Sequence, residues 1–316
     1  MELEPVPKQV FMAAFPRYEP LIKDSTAIVT AKTCFRKYFY RIVLGRVPGN
    51  TAPWLTFGGA YHKFREHLEL EYNKLLKEGK TKEDACLFSF QPALKAGVDN
   101  LDKRHVTPPA GTQWDFFTKD RFTKSCKEAW KHWVIEKKQN KIEVIAIEQA
   151  FNVQLRDGSS TSGRFDQIIR WNGKLWGRDF KTTSKEGAYY SRTLEPNDQF
   201  TRYTLSESLL CGEPVQGQII EVLYNSKSKG PLISVYTTTR TPEQLKKWED
   251  ELIFFHQLLA MCREQDNWPM MDNYYQCSHC DYHSVCKKPN EAAQMAQLRN
   301  EYKLEPWDNT RIGVED

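Results

Sequence analysis

The chain has 316 residues, 40% hydrophobic and 27% charged, the balance of a globular protein rather than a disordered or fibrous one. A formal net charge of +4 excludes attraction of nucleic acid by overall charge, so any such surface is a local patch. No apolar run reaches membrane-spanning length, and the opening MELEPVPKQVFMAAFPRYEP lacks the basic region and apolar core of a secretory signal. A cytoplasmic protein is expected, in which disulfides are rare and eight cysteines call for another role, as metal ligands or as small buried hydrophobes.

Residues 1–25 read as irregular. Residues 30–44, TAKTCFRKYFYRIVL, read as one helix stopped by Gly45, followed by a linker with Pro48, Gly49 and Pro53. Residues 57–77 form a long helical pattern ending near Gly79, and Thr81 with Asp84 opens another over 81–101. HVTPPAG, 105–111, is a loop, and 114–137 returns to helix. The pattern then turns to strand, first over 143–155 and then in a hairpin, SGRFDQIIRWNGKLWGRDFKTT, over 162–183. Residues 198–211 are helical with Gly212 as the stop, and 216–224 and 231–239 are two further strands. Thr241-Pro242-Glu243-Gln244 is a capping box with proline at the first helical position, opening a helix to about Arg263. Helices, a strand cluster with a helix inserted, and a final helix give an α/β domain, a sheet flanked by helices.

The hairpin carries the first chemical signal. Asn172-Gly173 demands a two-residue turn. With Trp171 facing Lys174, that register sets Asp166 directly opposite Asp179, a destabilising placement of like charges. Asp166, Asp179 and Lys181 then share one face, and Phe165 faces Phe180 on the other. Carboxylates at that spacing can be bridged by one divalent cation, with the main chain beside Phe180 able to add a carbonyl. Lys181 can orient a water or stabilise charge developing on a phosphate. The alternative is a solvated strand face with a salt bridge.

Two other stretches bear on that choice. Gln199 and Tyr203 in DQFTRY lie four apart and share a helix face. In FGGAYHKF, paired glycines precede His62, whose neutral ring can ligate a metal. Taken in order, Gly59-x-x-His62, Gly163-x-x-Asp166, Asp179-x-Lys181 and Gln199-x-x-x-Tyr203 resemble the PD-(D/E)XK nuclease superfamily, in its RecB-like branch. The resemblance implies a restriction-endonuclease-like core, with a central mixed β-sheet flanked by helices. In it His62, Asp166 and Asp179 surround a Mg2+ or Mn2+ ion, Lys181 is the catalytic lysine, and Gln199 and Tyr203 form the accompanying helix motif. Glu148, read as ending the strand before the hairpin, is similar to an acidic position often found there, with its role left open. Gly163-Arg164-Phe165 stands where the family often carries a proline.

CSHCDYHSVC contains Cys277, Cys280 and Cys286, and three thiolates so close need a fourth ligand, for which Cys34 is the best candidate. Four thiolates suit a structural zinc or an iron–sulfur cluster, and His279 and His283 keep zinc open. One early cysteine far from a late C-x2-C-x5-C resembles the iron–sulfur RecB-like nucleases, among them the AddB nuclease domain and the CRISPR-adaptation exonucleases. That likeness implies a 4Fe–4S cluster on Cys34, Cys277, Cys280 and Cys286, stapling a helical cap made of both chain ends. Cys86, Cys126, Cys211 and Cys262 lie in helical patterns and read as core or incidental residues. The implied organisation is an irregular segment over 1–25, a nuclease domain over 26–290 with a helical insertion at about 57–137 and the cysteine region at 274–290, and a tail over 291–316. The implied activity is DNA phosphodiester hydrolysis, as an exonuclease on single strands or free ends in recombination or DNA processing in a bacterial or phage-infected cell. Endonuclease or flap cleavage and a non-catalytic DNA-binding module stabilised by an iron–sulfur or zinc centre are the alternatives. Arg36, Lys37, Tyr38 and Arg41 can track a strand by charge and stacking, or can form an ordinary amphipathic helix.

Overall fold

The computed structural model describes residues 24–49, 53–103, 118–185, 187–225 and 230–306, apart from the side chains of residues 103, 188 and 189. The chain divides into two compact units, one built from Met1–Gly49, Gln154–Gly163 and Glu249–Asp316, the other from Asn50–Val153 and Arg164–Trp248. The loop expected at 105–111 and the start of the helix expected at 114 lie outside the described residues.

In the first unit, helix α1 (Ser25–Thr33) begins at Asp24, whose carboxylate accepts from the N–H groups of Thr26 and Ala27 at 2.7 and 3.0 Å. The single helix expected over 30–44 is interrupted. Cys34 turns to extended backbone (φ −169°, ψ 123°), a short helix α2 (Phe35–Tyr38) follows, and a π-helical turn spans Phe39–Val43. The break sets the Cys34 sulfur where it accepts from the Met271 N–H at 3.5 Å, a long-range contact that helical periodicity cannot register. Gly45, at φ +59°, ends the segment as expected. Strand β1 (Arg46–Pro48) pairs antiparallel with the late strand β7 (Tyr302–Leu304). The stretch 291–316, read from sequence as a tail, therefore contains ordered structure. Besides β7 it holds a helix over Glu291–Glu301, capped by Asn290, that buries Met295 and Leu298.

The second unit is built on a five-stranded sheet. Its helices before the sheet are α3 (Pro53–Lys77), α4 (Lys82–Phe88), α5 (Phe90–Lys103) and α6 (Lys119–Gln139). Thr81 caps α4 through the Asp84 N–H at 3.1 Å, as its sequence predicts. The helix expected over 81–101 is divided at Ser89, whose hydroxyl donates to the Cys86 carbonyl at 3.2 Å. The strands are β2 (Ile142–Gln154), β3 (Ser160–Trp171), β4 (Lys174–Thr183), β5 (Val215–Tyr224) and β6 (Leu232–Thr239), side by side in that order. The pairs β3/β4 and β5/β6 are antiparallel, and β4/β5 is parallel. A parallel pair requires a crossover, which is supplied by α7 (Ala188–Ser191) and α8 (Asp198–Cys211). Helix α9 (Pro242–Glu264) opens with the expected capping box, Thr241 N–H to Gln244 Oε1 at 2.9 Å and the return bond at 3.3 Å.

Strand β5 is buried on both faces, the pattern of a strand between two helical layers. Its Leu223 joins Phe180 and the α3 and α6 residues Phe57, Tyr61, Phe64, Phe122 and Trp133 in one core. Ile220, Val222 and Tyr224 pack on the opposite side against Leu194 and Phe200. A third cluster gathers Phe151, Phe165, Ile168, Leu175 and Tyr203.

The hairpin register is the one its turn demands, with Trp171 opposite Lys174 and Gln167 opposite Arg178. Asn172 and Gly173 sit at φ +50° and +76°, as the two-residue turn requires. Two expectations built on extending that register are corrected. The paired register stops at Gln167–Arg178, so Asp166 and Asp179 are not ladder partners; instead the Asp166 carboxylate accepts the Phe180 N–H at 2.7 Å. Phe165 and Phe180 do not share a face either. Phe165 stacks on Phe151, with centroids 4.1 Å apart, in the same cluster as Ile168, whereas Phe180 belongs to the core beneath α3. Strict alternation would put Phe165 and Ile168 on opposite faces, so the alternation slips by one residue at Asp166.

Candidate active site

The alternation of β4 provides the site. In the parallel ladder Asp179 lies beside Ile220, Phe180 beside Glu221 and Lys181 beside Val222. Asp179 and Lys181 therefore face α8, while Phe180 enters the core on the other side. The Lys181 ammonium reaches both Asp179 oxygens, Oδ1 at 2.8 Å and Oδ2 at 2.6 Å. Helix α8 begins at Asn197, whose side chain accepts the Phe200 N–H at 3.2 Å. Its first turn thereby aims Gln199 at Asp179 Oδ1, 3.2 Å away, and the same amide nitrogen donates to the Tyr203 hydroxyl at 3.2 Å. Lys181, Asp179, Gln199 and Tyr203 are thus brought together in space.

His62 comes from the third turn of α3. Its Nδ1 lies 3.1 Å from Asp166 Oδ2, the oxygen that also accepts the Phe180 N–H. Glu148 completes this corner. It does not end its strand but sits in the middle of β2 at φ +48°, a left-handed conformation uncommon for a residue other than glycine. Arg164 donates to its Oε2 at 3.0 Å. Ligand atoms of His62, Glu148 and Asp166 all lie within 4.8 Å of one another. The sequence points to Glu148 only through the family likeness, because no local pattern announces a left-handed residue within a strand.

The electrostatics follow from burial and crowding. Burial, and then the charge of Asp166, push the Glu148 carboxyl up to about 7. Burial also raises Asp179, despite the opposing pull of Lys181. For Asp166 burial acts upward too, but His62 and Lys181 outweigh it and hold the group below the usual carboxylate range. Burial works against the charged forms of His62 and Lys181, yet the facing carboxylates prevail and both are raised. Three carboxylates with one imidazole and one ammonium form an oxygen-rich, electronegative corner. That donor set fits a hard divalent cation such as magnesium or manganese.

In the other unit, Cys34, Cys277, Cys280 and Cys286 line one cavity of about 170 Å³, together with Lys37, Met271 and Tyr282. Burial, followed by the charge of Cys280, pushes the Cys286 thiol up to about 11, with Cys34 and Cys277 acting in the same direction. Cys86 and Cys126 are buried core residues and Cys262 is also buried, while Cys211 is half-buried.

A family model, that of the PD-(D/E)XK nuclease superfamily, matches residues 25–287. No curated protein matches the chain. Among solved structures, the chain is similar to a candidate exonuclease from Eubacterium rectale, at 13% identity and TM-score 0.51, over 87% of this chain and 92% of that one. A likeness of that kind establishes the fold. A second structure, SSO0001, aligns at 14% identity and TM-score 0.28 over 53% of this chain and 72% of that one. No helix among the described residues is long and apolar enough to cross a membrane.

Proposed function

Since the chain belongs to the PD-(D/E)XK nuclease superfamily, we propose that it is a metal-dependent deoxyribonuclease acting at the corner where α3, β2, β3 and β4 meet. The observation that carries this is the gathering of His62, Glu148 and Asp166 within 4.8 Å, in the same site as the Asp179–Lys181 pair. His62, Glu148 and Asp166 would hold a magnesium or manganese ion, with Asp179 available from β4. Once bound, such an ion polarises a phosphodiester and lowers the pKa of the attacking water.

The chain's own groups do the rest. Asp179 grips the Lys181 ammonium through both oxygens, so the charge is fixed before substrate arrives and can steady the negative charge that develops on the phosphoryl oxygens. Gln199 spans Asp179 and Tyr203, which keeps the carboxylate from rotating. The Phe180 N–H bond and His62 together hold Asp166 in place.

Exonucleolytic action on single strands or free ends is the preferred mode, on the strength of the RecB-like motif order. Recombination or DNA processing is the setting that likeness suggests. For the four cysteines the reading is a 4Fe–4S cluster rather than zinc. That preference rests on the likeness of one early cysteine and a late C-x2-C-x5-C to the iron–sulfur RecB-like nucleases, and it is supported by the four side chains lining one cavity.

The test is cleavage of end-labelled single- and double-stranded DNA with magnesium, manganese or EDTA. The parent should cleave only with metal, and Lys181→Ala and Asp179→Ala should each lose about 100-fold or more, the usual weight of one transition-state electrostatic contact. Parent-like cleavage by both variants would remove the site assignment. A brown protein absorbing near about 400 nm, with iron in the purified material, supports the cluster. One equivalent of zinc without iron would overturn it.

A further inference from the structure

Directly beneath the site, on the α3 face of the sheet, lies a buried ion cluster that takes no part in the chemistry above. Its centre is Glu221 of β5, wholly buried. Arg65 of α3, also wholly buried, places Nη2 3.4 Å from Glu221 Oε2, and Tyr61 donates its hydroxyl to Oε1 at 3.3 Å. Arg178 of β4 donates to Oε2 at 2.8 Å and separately grips Glu136 of α6 at 2.9 and 2.6 Å. His132 approaches Glu221 Oε2 at 3.7 Å. The two guanidinium groups also meet the Phe180 ring, Arg65 at 4.3 Å and Arg178 at 5.4 Å from its centroid.

The sequence positions of these groups are informative. Tyr61 and Arg65 are four apart on α3, so both project from one side of the helix. A single carboxylate held by both fixes the rotation of α3 and its position along its axis. His62 follows Tyr61 directly and points to Asp166 only while that rotation is kept. On β4, Arg178 and Phe180 flank Asp179, and the Phe180 N–H holds Asp166. Glu221 is thus joined to α3 and β4, two of the four elements that meet at the site, through residues next in sequence to His62 and Asp179.

We infer that Glu221 is a positioning residue whose grip on Arg65 and Tyr61 of α3 and Arg178 of β4 keeps His62 and Asp166 at metal-binding distance, with Asp179 beside them. Stability alone is a poor account of the cluster. Burying such charges is expensive, and replacing a buried ion pair by apolar side chains of similar volume often leaves a fold as stable or more so. Directional ties to Tyr61, Arg65 and Arg178 supply what an apolar core residue cannot, which is a unique helix rotation.

The inference rests on the metal-dependent reading of the site, and the experiment separates the two. The variants are Glu221→Gln, which keeps shape and hydrogen bonding but loses the charge, and the double replacement Arg65→Met with Glu221→Met, which removes the pair; Arg178 retains Glu136 in both. Manganese binding is measured by calorimetry without DNA, beside thermal melting and manganese-dependent cleavage. The double variant should melt close to the parent, bind manganese about 10- to 100-fold more weakly, and lose cleavage to match, the range usual when an outer support of a metal site is removed. Glu221→Gln should fall between the two in manganese affinity. A parent that fails to bind manganese refutes the functional reading itself. If the parent binds and the double variant binds equally well, Glu221 does not position the site. A double variant that cannot fold would make the pair a stability element and overturn the inference as well.

Discussion

Replacing Gly177 by alanine tests how tightly β4 and α8 are pressed together. Gly177 lies two residues before Asp179 on the same face, beside Gln218 of β5. A Cβ there would stand 2.2 Å from Gln218 Oε1, 2.3 Å from its Nε2 and 2.4 Å from Glu207 Oε1. Neither neighbour can retreat to solvent, since Gln218 and Glu207 are both wholly buried. They are also bonded to each other, Gln218 Nε2 to Glu207 Oε2 at 2.5 Å, with Thr204 Oγ1 3.3 Å from the same nitrogen. Overpacking a core costs about 1–3 kcal/mol, and loss of the amide–carboxyl bond adds about 1 kcal/mol. The sum, about 2–4 kcal/mol, corresponds to a fall in Tm of roughly 3–6 °C for a chain of this length. Scanning calorimetry on Gly177→Ala reads this directly. A double-mutant cycle with Gln218→Ala should recover about 1–2 kcal/mol, because the truncated side chain leaves room for the new methyl. A Gly177→Ala protein melting within about 1 °C of the parent would refute the argument from crowding.

Glu207 also makes a pH prediction. Burial raises its carboxyl well above the usual range, so the folded protein retains a proton that the unfolded chain releases above about pH 4.5. Its contribution is therefore complete below the unfolded value and fades as pH rises through the folded one. Glu207→Gln should flatten this decline, gaining on the parent between pH 5 and pH 8 in denaturant titrations of about those two conditions, and a constant difference between them would count against a protonated Glu207. One residue inserted between Asn172 and Gly173 should shift the β3/β4 pairing and turn Asp179 away from the site, abolishing metal-dependent cleavage; undiminished cleavage by that variant would show the register to be immaterial.

Local chemistry made much of the fold legible. The Asn172-Gly173 turn, the Thr81 and Thr241 caps and the Gly212 stop each depend on a few adjacent residues, and each is found where its residue types require. Features set by distant contacts were not readable. Cys34 interrupts a pattern that is helical on both sides, and β1 is defined only by pairing with β7, more than two hundred residues later. The same distinction holds in the site. His62, Asp166, Asp179, Lys181, Gln199 and Tyr203 stood out by type and order, and the structure brings His62 to Asp166 and the other four together. What could not be foreseen was the slip at Asp166, which separates Phe165 from Phe180, and the left-handed turn of Glu148 into the cluster. Both are single-residue departures from strand periodicity, and periodicity is the only signal a strand offers in sequence.

The carboxylate shifts run in the direction that crowding requires, with burial the larger cause and the charge of Asp166 the smaller. If the strand face were merely solvated, neither Glu148 nor Asp179 would gain from neighbouring charge, and water would keep both near ordinary values. Instead burial drives both upward and Asp166 adds to each, while Lys181 and His62 meet only part of the negative charge. The unfavourable energy is confined to one corner, and the strand ladder opens at that corner so that Asp166 can take the Phe180 N–H. A fold that needed only a stable hairpin would continue the ladder and place an opposite charge across from Asp179. Keeping the carboxylates together, with Lys181 tied to one of them, makes sense when a cation and a phosphate complete the balance.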